Sequence, residues 1–143
     1  MPASRERLLL QIVVAILSLI PLSAGAAGVV LGPGFVQASA PWSVDLDSHL
    51  RFLSGVFFGV GLAFLSCVPA IERKGERFRL LSMLIALGGL ARLLSLVLAG
   101  SPSPGHVGGL VMELAVVPCL VIWQRRVARL RSRTGSAVQR SPT

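Results

Sequence analysis

Charge is scarce in this chain. Asp, Glu, Lys and Arg make up 14% of its residues, where a soluble domain carries about 25%. That leaves too little polar surface to enclose, in water, the 53% that are hydrophobic. Long apolar runs with few charges instead point to lipid as the solvent. Cysteine is nearly absent as well. Cys67 and Cys119 form no CxxC and have no histidine nearby at metal-ligand spacing, so they read as small apolar packing residues, with a redox pair as the alternative. His49 and His106 fall in separate segments without the spacing of a zinc or haem site. There is no phosphate-binding glycine loop and no GxSxG elbow. The expectation is a non-enzymatic protein with no catalytic residues, no cofactor and no metal.

What is plentiful is positive charge, with a formal net of +8. All but Arg51 and Arg92 of the 14 basic residues lie in three blocks that flank apolar runs: Arg5 and Arg7, Arg73 to Arg79, and Arg125 to Arg140. Basic residues bunched at the ends of spans are the signal that keeps those ends in the cytoplasm. A nucleic-acid surface would interleave aromatics with the basic residues, and the C-terminal block has none. No nucleic-acid partner is expected.

Four apolar runs follow from this punctuation, with spans at about 8–31, 50–71, 78–99 and 106–123. Each is long enough to cross a hydrocarbon core of about 30 Å. The first resembles a signal peptide in its opening, but its apolar character continues through Val29, Val30 and Leu31, so a retained helix is expected. Gly32-Pro33-Gly34 ends it. An outer loop to His49 holds Trp42, suited to the headgroup region, and Trp123 anchors the opposite face. Glu72 to Arg77 is too charged for anything but cytoplasm, and Ser101 to Gly105 makes a short outer turn. The fold class is therefore all-α: an integral membrane four-helix bundle, N-in and C-in. A single domain covers 1–127, and 128–143 is a basic, disordered cytoplasmic tail. A bacterial inner membrane is the expected location. The partner is the bilayer, with anionic lipid at the tail; a homo-oligomer or a membrane partner is left open.

Polar groups inside the spans are the remaining features. Arg51 shares a face with Gly55 and Gly59, which form a GxxxG. Arg92 shares one with Gly88 and Gly89, and Glu113 with His106 and Gly109. Small residues let a neighbouring helix approach closely, so these glycines are packing candidates. Arg92 lies seven residues before the end of its span at Ala99, and Glu113 seven after His106. At 1.5 Å per residue both sit about 10 Å deep on adjacent antiparallel helices. An unpaired charge there is expensive, so the two are expected to pair. That pair is either a staple fixing helix register or part of a pocket. In the second reading Arg51, His49, His106 and Asp47 join it, and two guanidiniums against one carboxylate leave a positive excess for a small anionic or amphipathic ligand. A small oligomeric transporter and an accessory subunit of a quinone-linked oxidoreductase are the alternatives.

The stretch Asp47-Ser48-His49-Leu50-Arg51-Phe52-Leu53-Ser54-Gly55 resembles the opening of the second helix in a bacterial family, domain of unknown function 4345. Gly88-Gly89-Leu90-Ala91-Arg92-Leu93-Leu94-Ser95 and the Pro102-Ser103-Pro104 turn are similar to its third helix and the loop after it. Glu113 matches its acidic position in the fourth. The resemblance covers about residues 8 to 127. It implies a four-helix membrane protein, similar in broad architecture to DoxX-type proteins, and lends no activity.

Overall fold

The computed structural model describes residues 3–36 and 39–139, and among them all regular structure is helical. Helix α1 covers Ala3–Leu31 and runs into a 3-10 turn at Gly32–Val36. Helix α2 covers Val44–Cys67, followed by a 3-10 turn at Val68–Ala70. Helix α3 covers Gly75–Ala99. Helix α4, Pro104–Val111, continues through a π-helical turn at Met112–Val116 into α5, Val117–Gln139. Among the described residues, four stretches are long and apolar enough to cross a membrane: Ser4–Val36, Val44–Ala70, Gly75–Ala99 and Pro104–Ser132. Large apolar side chains such as Ile16, Leu19, Phe52, Leu87, Leu94 and Ile122 are exposed along them, as lipid contact requires.

The helix ends differ from those expected, for local reasons. Helix α2 opens at Val44 rather than near Leu50, because the Ser43 hydroxyl accepts the Leu46 N–H at 3.1 Å. Asp45 and Asp47 in its first turn oppose the positive end of the helix dipole. The connection between α1 and α2 shortens accordingly. Helix α3 opens three residues before Phe78, and Pro104 takes the start of α4, where its missing N–H leaves nothing unpaired. Helix α5 runs past Trp123 to Gln139, through much of the tail expected to be disordered. Residues 140–143, with Arg140, lie outside the described residues.

The chain groups into two compact units, Ile12–Val68 and the combination of Met1–Gln11 with Pro69–Thr143. In the first, α1 and α2 approach through small residues. A Cβ at Gly25 would lie 2.6 Å from the Phe58 nitrogen, one at Gly28 2.1 Å from Ser54 Oγ, and one at Gly61 2.9 Å from Leu22 Cγ. The contact face of α2 thus carries Ser54, Phe58 and Gly61, spaced at one helical stripe. Of the GxxxG glycines, Gly55 lies at its edge and Gly59 is off it. A Cβ at Gly59 would meet nothing within 4 Å, and one at Gly55 only Val29 at 3.9 Å. At 3.6 residues per turn, Gly59 and Gly61 point to nearly opposite sides. In the other unit α3 packs along α4, the π turn and α5, and Leu10, Ile71, Phe78, Leu81, Leu120 and Val127 are buried.

Candidate functional site at a π turn

Arg92, in the C-terminal half of α3, meets Glu113 in the π turn. Its Nε donates to Oε2 and its Nη2 to Oε1, both at 3.1 Å, in a two-pronged pair. The carboxylate side chain is 12% exposed and the guanidinium side chain 33%. Glycines make the meeting sterically feasible. A Cβ at Gly89 would stand 2.8 Å from Leu114 Cδ2 and 2.9 Å from Glu113 Cβ, so α3 needs a bare backbone there. Gly109, one turn before Glu113, leaves the pair open on that side, with the guanidinium 3.9 Å from where its Cβ would be. Gly88 has no neighbour within 4 Å of a built Cβ, so of the two adjacent glycines only Gly89 is a packing position.

The π turn has a covalent cause. The Val117 N–H reaches back five residues to the Met112 carbonyl, and Pro118 follows with no N–H to give to Leu114 or Glu113. A wide turn before a proline relieves the clash between its ring and the preceding turn, and such turns occur frequently at functional sites. Pro118 was the available sequence signal for this irregularity.

The other residues expected in a common pocket are engaged differently. Arg51 is bound to Asp47, one turn earlier on α2, through Nε at 2.8 Å and Nη2 at 3.1 Å. Its Nη1 donates to the Val29 carbonyl, and to the Val30 carbonyl at 3.1 Å. These are last-turn carbonyls of α1 that have no partner within their own helix. Arg51 therefore caps α1, with its positive charge at the negative end of the helix dipole. Gly32 closes the arrangement. Its φ of +56° favours glycine, and a Cβ would lie 2.5 Å from Asp47 Oδ1. Each arginine thus has its own carboxylate, which corrects the expected excess of two guanidiniums over one. His106 is exposed and bonded to Ser103 at 2.9 Å. His49 is exposed on α2.

A second charged cluster, at the opposite end of α3, was hidden among the basic blocks. Glu6 and Glu72 are buried. Arg126 holds Glu6 at 3.0 Å, and Glu72 is held by Arg7 at 3.0 Å and Arg131 at 2.5 Å. Gln124, 1% exposed, donates to the Ile71 carbonyl at 2.8 Å. Acids adjacent to basic residues at the ends of spans were the only sign of it. The two cysteines form no disulfide, Cys67 being buried and Cys119 exposed, and the described residues contain no group of His, Cys, Asp and Glu able to hold a metal ion.

A family model described as Domain of unknown function (DUF4345) matches residues 9–124, from the first turns of α1 to Gln124. No curated protein and no solved structure matches the chain.

Proposed function

We propose a function for a chain that belongs to the Domain of unknown function (DUF4345) family: a non-enzymatic, multi-pass protein of a bacterial inner membrane, in which Arg92 and Glu113 hold a small anionic or amphipathic ligand. The four spans act as one membrane domain with both ends in the cytoplasm. The grouping of Arg5, Arg7, Arg73 to Arg79 and Arg125 to Arg133 at one set of span ends supports that orientation. The bilayer is the main partner, and the basic segment after Trp123 lies against anionic headgroups.

One observation carries the ligand reading. The guanidinium has five N–H donors, Glu113 takes two, and Nη1 makes no hydrogen bond to a described residue. Inside hydrocarbon every donor needs an acceptor. Gly109 leaves the guanidinium uncovered on its side, with Arg92 Cζ 3.9 Å from the position of a Cβ, and the Arg92 side chain is one-third exposed, so an incoming carboxylate, phosphate or carbonyl oxygen has access. The pair is electrically neutral. It selects by hydrogen-bond geometry, and its depth of about 10 Å matches the polar end of an outer-leaflet amphiphile.

The test compares wild type with Arg92→Lys, which keeps the charge and loses the fork, and with the swap Arg92→Glu plus Glu113→Arg. Amphiphiles retained through purification are identified by mass spectrometry, and folding is followed by thermal midpoint. The expected result is a bound amphiphile in wild type that both variants lose while remaining folded. Retention by the swap, or none in wild type, would reduce the pair to a staple.

A further inference from the structure

At the end of α3 remote from Arg92, a cleft of about 810 Å³ opens between the Glu72–Gly75 connection, the first turn of α3 and the Gln124–Arg129 stretch of α5. Six cations line it: Arg73, Lys74, Arg77, Arg79, Arg125 and Arg129. Its two carboxylates do not balance them. Glu72 is turned into the protein, 2% exposed, and is held by Arg7 and Arg131, neither of which lines the cleft. Only Glu76 is left. Arg73, Arg79, Arg125 and Arg129 form no ion pair with a described residue.

Orientation in the membrane does not account for this placement. The insertion signal counts basic residues by side and is indifferent to the face they occupy. Here they converge on a concavity, where like charges repel. Arg125 and Arg129 also stand one turn apart on a single helix, an unfavourable spacing unless an anion sits between them. The floor is firm. Gln124 bonds the Ile71 carbonyl across it, and a Cβ on Gly75 would come within 3.1 Å of Gln124 Nε2. Lys74, at the N-cap of α3, offers no side-chain acceptor to the first turn, so the positive end of the helix dipole adds to the field.

We propose that this cleft is a built binding site for a phosphate ester, with Arg73 and Arg79 on one wall and Arg125 and Arg129 on the other gripping its oxygens. Guanidinium forks match phosphate geometry two-pronged, and the volume takes an esterified phosphate rather than a lone ion. The site is independent of the ligand at Arg92. It also differs from diffuse attraction of a basic segment to anionic lipid, because it depends on the fork and not on charge alone.

The experiment uses the full chain in neutral detergent. Thermal midpoints are titrated with short-chain phosphatidylglycerol, with glycerol phosphate, and with sulfate at matched ionic strength. The variants are Arg125→Gln with Arg129→Gln, the same two positions changed to Lys, and Arg5→Gln as a control outside the cleft. The Lys pair keeps the insertion signal, so it tests the site even where the Gln pair inserts badly. Phosphate esters are expected to stabilise wild type and Arg5→Gln well beyond sulfate. Each lost fork weakens binding about tenfold, so the Gln pair falls on the order of a hundredfold and the Lys pair part of the way. Stabilisation by the lipid alone assigns a headgroup, and equal stabilisation by glycerol phosphate assigns a soluble ester. Sulfate matching both esters, or a Lys pair with wild-type affinity, overturns the proposal.

Discussion

Gly88 and Gly89 are neighbours on one helix, yet only one of them faces a wall. A methyl group at position 89 would enter the space held by Leu114 and the Cβ of Glu113, while at position 88 it would meet nothing within 4 Å. Gly89→Ala is expected to lower the thermal midpoint in detergent, at the level of about 1–3 kcal/mol for an overpacked contact. Gly88→Ala should leave it unchanged or slightly higher, since alanine is the better helix former. The pair that Gly89 accommodates is open to a double-mutant cycle. Arg92→Leu and Glu113→Leu each strand a charge, and the double variant removes both, so the losses should fall short of additive by on the order of 1 kcal/mol. Arg51→Ala has a different signature. It uncaps α1, and faster amide exchange should appear at the residues after Val29, with Arg92 and Glu113 unaffected.

Among the elements, the π turn is the one that a regular helix would not supply. If Pro118 maintains it, Pro118→Ala restores an N–H and lets 112–118 tighten into α-helix, rotating Glu113 away from Arg92. The Arg92–Glu113 coupling measured by the same cycle should then drop toward zero in the Pro118→Ala background. Helix α5 makes a second case. Its continuation beyond the apolar span coincides with the Arg126–Glu6 and Arg131–Glu72 pairs. Glu6→Gln with Glu72→Gln should speed amide exchange from Arg126 onward and leave α3 protected. These elements show what a sequence can and cannot display. The spans were legible because apolar length is a composition property, and the meeting of Arg92 with Glu113 follows from counting residues down two adjacent helices. The capping by Arg51 was not legible, because it depends on where α1 ends and on a backbone carbonyl that has no letter. The GxxxG did not tell which of its glycines meets α1, because a motif gives spacing and leaves the face undetermined. Glu72 was read only as part of a charged connection and Glu6 was not singled out, since burial at a helix end depends on which side chains the fold brings there.

For the whole molecule, four membrane-capable helices among the described residues and the ordering of charge along them support the proposed orientation. In the orientation proposed above, the ends carrying Arg5, Arg73 to Arg79 and Arg125 to Arg133 face the cytoplasm, and the α3–α4 connection faces outward. Both ligand readings depend on it: Arg92 then opens to the outer leaflet, and the basic cleft to the cytoplasmic surface. Thiol accessibility in intact cells tests this most directly. In a Cys67→Ala, Cys119→Ser background, single cysteines replace Gly105, which has open space around it, and Glu76, which is exposed. A membrane-impermeant maleimide should label position 105 in intact cells and position 76 only after permeabilisation. Labelling of position 76 in intact cells, or protection of position 105 there, would contradict the account.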